Sequence, residues 1–172
     1  MREHPRLDEL RRRVERDPAS IAFAQLAEEH RRAGQCEDAV RVCRAGLLIH
    51  PGYLSARVTL ARALVELDAL DEALEQFTLV IKAAPENLVA VRSVADIYYR
   101  QDQLAEALGY YQSALNLARN DPDLQQIVGD LTARLNRPAR TVPPPDRTRD
   151  RLDDTIHQLQ AWLDVIVNQQ AP

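Results

Sequence analysis

Residues 54–87 read LSARVTLARALVELDALDEALEQFTLVIKAAPEN, and this 34-residue stretch decides the fold because its pattern recurs on both sides. In steps of 34, Leu26, Leu60 and Val94 share one position, and alanine follows each as Ala27, Ala61 and Ala95. Gly34, Asp68 and Asp102 coincide where a tight inter-helix turn is expected. Asp38, Glu72 and Glu106 each precede an alanine (Ala39, Ala73, Ala107) and then an apolar residue (Val40, Leu74, Leu108). Cys43, Phe77 and Tyr111 align, as do Leu47, Ile81 and Leu115, and Pro51 and Pro85 close the first two units. Self-similarity at such a period is the signature of a stacked repeat array.

Each recurring position has a physical reason. Alanines such as Ala27 and Ala39 let two antiparallel helices approach closely, and the large residues at the Cys43, Phe77 and Tyr111 position fill the space between units. Gly or Asp at the turn tolerates left-handed backbone or supplies a cap. Proline near the start of the following helix costs little, because its missing N–H has no partner there.

Composition agrees with an all-helical chain. Hydrophobic residues make up 45% and aromatics only 5%, glycine is scarce, and strong helix formers dominate. The net charge of -4 gives no whole-chain case for nucleic acid, which favours a basic balance. Lys82 is the one lysine among 22 basic residues, a skew that a GC-rich genome or bidentate pairing with carboxylates accounts for equally well. Cys36 and Cys43 lie seven apart on one expected helix, about 10 Å along its axis, too far to bridge each other. The opening Met-Arg-Glu-His-Pro lacks the apolar core of a signal peptide, and no apolar run reaches the length of a membrane span. A soluble, reducing, cytoplasmic location is the expectation.

On these residues the chain resembles the tetratricopeptide repeat family, from about Ser20 to Arg119. The units run 20–53, 54–87 and 88–121. The usual early aromatic appears only as Phe23, with Arg57 and Val91 in the other units, and Arg119 stands where the third proline belongs, ahead of Pro122. The resemblance implies an all-α, right-handed α-solenoid. Half-unit caps are expected at 1–19, on Leu7, Leu10 and Val14, and at 122–135, on Leu124, Ile127, Leu131 and Leu135. Eight stacked helices are therefore expected between Arg6 and Asn136.

Beyond Leu135 the composition changes. Residues 136–147 carry Pro138, Pro143, Pro144 and Pro145 among arginines, which suits a semi-rigid spacer. A separate amphipathic helix is expected over 148–172. Leu152, Ile156, Leu159, Leu163 and Ile166 form a heptad seam flanked by Trp162 and Val167. Such a stripe must be buried, in the array's own groove, against a second copy or on a partner.

No phosphate-binding glycine loop, nucleophile elbow or CxxC pair is present, and the four histidines are scattered. Catalytic, metal-ligating and cofactor-binding residues are accordingly expected to be absent. His30 and Cys43 read as packing residues. The arginines from Arg134 to Arg151 are offset by Asp146 and Asp150 and lack interleaved aromatics, so nucleic acid is not the expected partner.

What the resemblance implies is a concave groove lined by the first helix of each unit. Carried over by position, its rows are Gln25, Glu28 and Arg32; Ser55, Thr59, Arg62 and Glu66; and Val89, Arg92, Ser93, Asp96, Tyr99 and Arg100. Arg62 and Arg92 are expected to face one another and to pair either with a partner carboxylate or internally with Glu28, Glu66 or Asp96. The lysines and asparagines with which one subfamily clamps a C-terminal carboxylate are missing: Ala24, Glu28, Thr59 and Arg62 stand in that region. The expected function is a non-enzymatic adaptor or scaffold, of bacterial type, binding a peptide or helix of a protein partner. The alternatives are a self-assembling subunit that exchanges its tail helix, or a regulatory subunit whose tail blocks its own groove.

Overall fold

The computed structural model describes residues 5–136 together with Gln158 and Gln160. The chain divides into two units, Met1–Leu135 and Asn136–Pro172. In the second, Gln158 and Gln160 are helical and exposed. The expected linker from 137 onward, and the stripe of Leu152, Ile156, Leu159, Trp162, Leu163, Ile166 and Val167, lie outside the described residues.

The first unit consists of eight helices: α1 (Pro5–Arg16), α2 (Ala22–Arg32), α3 (Cys36–Ile49), α4 (Leu54–Glu66), α5 (Leu70–Ala83), α6 (Leu88–Arg100), α7 (Leu104–Leu117) and α8 (Pro122–Leu135). Among the described residues there is no strand. Consecutive helices pack as antiparallel neighbours, and α2, α4 and α6 also touch one another across the units. This is the layout of a tetratricopeptide solenoid, in which each unit buries its apolar face on the next.

Repetition places the core. Ala27, Ala39, Ala61, Ala73, Ala95 and Ala107 are all fully buried, so helix axes meet where side chains are smallest. Cys43, Phe77 and Tyr111 fill the space between units at no more than 3% exposure. Leu7 and Leu10 of α1 close one end against Leu26, and Leu124 and Leu131 of α8 close the other. Leu135, expected on the apolar face of α8, is 42% exposed because it is the last residue of that helix.

The turn inside each unit has one geometry. Gly34, Asp68 and Asp102 adopt φ of 75°, 59° and 57°, in the left-handed region. The N–H after each turns back to a carbonyl five residues earlier: Gln35 to His30, Ala69 to Leu64 and Gln103 to Tyr98, each at 2.9 Å. The carbonyls left unpaired at the helix end are satisfied in this way. Asp38, Glu72 and Glu106 then fall in the first turns of α3, α5 and α7, where the helix dipole favours an acid.

The prolines require a correction. Pro51 and Pro85 do not begin the following helices; they stand in the inter-unit turn just after the C-caps His50 and Ala84, three residues before α4 and α6. Pro122, like Pro5 at the start of α1, occupies a first helical position, with the Asp121 carboxylate accepting the N–H groups of Asp123 and Leu124 at 3.0 and 3.1 Å. A proline at that position suits a helix start and needs no partner for its nitrogen. No helix among the described residues is long and apolar enough to cross a membrane.

Candidate functional site

The first helices of successive units follow one another in the order α2, α4, α6 and finally α8, and clefts open between them. Between α2 and α4 a cleft of about 310 Å³ brings together Gln25, Glu28, Arg32, Ser55 and Thr59, with Arg6 of α1 at its edge. Between α4 and α6 a cleft of about 230 Å³ gathers Arg62, Glu66, Ser93, Asp96 and Arg100 around a floor that includes Phe77. Between α6 and α8 a third, of about 180 Å³, is lined by Tyr99, Tyr111, Ile127, Asp130, Leu131 and Arg134.

The last two clefts are the same place in successive units. A shift of 34 residues carries Val65 to Tyr99, Phe77 to Tyr111, Ser93 to Ile127, Asp96 to Asp130, Ile97 to Leu131 and Arg100 to Arg134. Their chemistry differs: Ile127 replaces a serine, tyrosines replace a valine and a phenylalanine, and the third cleft has two charged side chains where the second has four.

Of the groove residues expected from sequence, Val89 and Arg92 line none of these clefts. Val89 is half exposed at the start of α6. Arg92 reaches Asp121 at 3.8 Å, away from Arg62, and none of Glu28, Glu66 or Asp96 pairs with it. Its row explains this: Ala24 and Val58, the equivalents of Arg92 in the earlier units, are buried and half-buried, so that row belongs to the packing between units.

The carboxylates of the groove are held from within. Arg31, only 12% exposed in its side chain, grips Glu28 at 2.8 Å and also binds Glu66 of the next first helix. Arg32 adds a third hydrogen bond to Glu28 at 3.0 Å, beside the two from Arg31, and the Cys36 thiol donates to Glu66 at 3.0 Å. The hydrogen bonds from Arg31 hold the Glu28 carboxyl down at about 2, with Arg32 and the nearby charge of Arg62 adding to the effect and burial opposing it. The Tyr111 hydroxyl donates to Asp96 at 2.6 Å, and burial together with that charged acceptor pushes its pKa up. Arg62 and Arg100 have no carboxylate within 4.0 Å among the described residues.

Ile127, Asp130 and Arg134 line this surface and Arg31 holds two of its carboxylates, but none of the four was read from the sequence as a groove residue. Three of them were within reach of the repeat. Stepping by 34 from Ser93, Asp96 and Arg100 lands on Ile127, Asp130 and Arg134, so the groove continues onto the capping helix. Arg31 carries no such signal, because its importance lies in bridging two units.

His30 and Cys43 are packing residues. His30 is buried with Nδ1 2.7 Å from the Gln35 amide oxygen, and burial raises the Cys43 thiol to about 12. Both cysteines are free.

Comparison with known proteins agrees with this architecture. The tetratricopeptide repeat family profile matches residues 30–94. Tetratricopeptide repeat protein 8 of Caenorhabditis elegans is 28% identical over 107 residues, covering 62% of this chain. The match spans 21% of that relative's length. Among solved structures, MamA from Desulfovibrio magneticus, beginning at its residue 41, aligns with a TM-score of 0.68 at 17% identity, over 96% of this chain and 86% of that one. The Yersinia enterocolitica type III secretion chaperone SycD, in complex with a peptide of the translocator YopD, aligns with a TM-score of 0.61 at 17% identity, over 65% and 91%.

Proposed function

The chain is a tetratricopeptide repeat protein, and on that premise we propose that it is a non-enzymatic adaptor holding a peptide segment of a partner protein in the groove of its first helices. The observation that supports this most directly is the repetition of the clefts. Two of them coincide under a 34-residue shift, and the α4/α6 cleft carries two arginines, Arg62 and Arg100, with no carboxylate within 4.0 Å among the described residues. A surface built in register with the backbone repeat suits an elongated ligand, which meets each unit in turn. The peptide complex of SycD, a protein of similar fold, supports the same reading.

A photo-crosslinking residue placed in the groove at Ser93, and separately at exposed Gln112 on α7, tests it in lysate from the source organism. Capture of one defined partner from position 93 and not from 112 is the expected result. Capture from 112 alone would move the binding surface to the second helices and end this reading.

A further inference from the structure

Resting on the groove reading above, we infer that the partner segment presents a carboxylate side chain to the α4/α6 cleft and an apolar side chain to the α6/α8 cleft. The argument is a balance of charge and apolarity between two equivalent places. In the α4/α6 cleft Glu66 is paired with Arg31, and Asp96, which accepts from the neutral Tyr111 hydroxyl, keeps its charge. Against that one carboxylate stand Arg62 and Arg100, neither with a carboxylate within 4.0 Å among the described residues, so the cleft is left with one positive charge in excess. Those two exposed guanidiniums offer paired donors suited to a carboxylate.

In the α6/α8 cleft the balance reverses. Asp130 and Arg134 contribute one charge of each sign, and Arg134 donates to the Tyr99 hydroxyl at 3.3 Å. The rest of the lining is aromatic or aliphatic: Tyr99, Tyr111, Ile127 and Leu131. With Ile127 where the preceding unit has Ser93, this cleft holds an apolar or aromatic side chain better than a charged one.

The backbone repeat sets the distance between the two anchors. Neighbouring packed helices lie about 8–10 Å apart, which is about three residues of extended chain or about five to seven of a helix. The inferred recognition element is therefore one acidic and one apolar residue at one of those two spacings.

Selection of a randomised 12-residue peptide display library on the full chain tests this, repeated on the Arg62→Ala/Arg100→Ala and Ile127→Ser variants. All three positions are exposed or half-buried, and Ile127→Ser copies the residue of the preceding unit. The expected result is enrichment of peptides with an acidic and an apolar residue about three apart, or about five to seven apart if the peptide is helical. The arginine variant should lose the acidic preference and bind an enriched peptide about 10-fold more weakly, while keeping the apolar preference. The serine variant should lose the apolar preference alone. Peptides that depend on Ile127 but show no acidic preference, or bind the arginine variant undiminished, would overturn this inference and leave the groove reading standing. No enrichment, or peptides indifferent to both variants, would overturn both.

Discussion

Gly46 and Phe23 show how single residues in one unit compensate one another. Phe23 is the early aromatic of the first unit, 1% exposed, stacked on His50 and meeting Tyr53 edge-on. It fits because Gly46 opposite has no side chain: a Cβ there would stand 2.1 Å from the ring. The same pair of positions holds Val91 and Ala114 in the third unit, a smaller residue facing a larger one. In the second unit Val80 is fully buried, and Arg57 directs its guanidinium to the Pro51 carbonyl and to Gln76. Gly46→Ala is therefore expected to destabilise the protein by about 1–3 kcal/mol through overpacking, measured by denaturant unfolding. Phe23→Val combined with it should cost about 1 kcal/mol less than the two separate changes added together. Strict additivity would show that the two positions do not share their space.

Between elements, the contact of α2 with α4 is made by charge as well as by packing. Arg31 leaves α2 to bind Glu66 on α4, and Thr59 of α4 stands 3.5 Å from the Glu28 carboxylate. Glu28 has a folded pKa of about 2 against an ordinary 4.5, so the folded state favours its ionised form. The stabilisation from this depressed value is complete above pH 4.5 and is lost as pH falls towards 2. Glu28→Gln should accordingly be less stable than the parent at neutral pH, with the gap narrowing across that acid window. Denaturant midpoints measured at pH 7 and pH 3 check this, and a gap that stays constant between them would mean the carboxylate's charge is not what joins the helices. The turn within each unit is a different kind of element, fixed locally by one left-handed residue and one returning hydrogen bond.

Across the whole solenoid, contacts run between neighbours, so stability is distributed along the stack. The largest core cluster extends from Phe23 on α2 to Ile97 on α6, while α1 is held mainly by Leu7 and Leu10 and α8 by Leu124 and Leu131. Amide hydrogen exchange should therefore be fastest in α1 and α8 and slowest in α4 and α5, which have a unit on either side. Equal protection along all eight helices would indicate a single cooperative block in place of a stack. If the capping helix α8 opens most readily of the groove helices, the α6/α8 cleft is the part of the binding surface most easily lost to destabilising substitutions.

The sequence by itself determined the repeat, the helix count, the alanine contacts and the place of the tight turns, while the left-handed backbone at Gly34, Asp68 and Asp102 is read from the structure. The former depend on spacing along the chain, and a 34-residue recurrence states that spacing three times over. Its groove rows fall on the first helices, where all but Val89 and Arg92 line the clefts, and the same step leads on to Asp130 and Arg134. Only the tertiary structure decided which groove charges are taken. Arg92 turns to Asp121, Arg31 spans from Glu28 to Glu66, and Tyr111 occupies Asp96, each a meeting of side chains from different elements. A guanidinium can reach several carboxylates with little difference in local preference. Its partner is fixed by where packing places the next helix, and the spacing of residues along one helix does not contain that information.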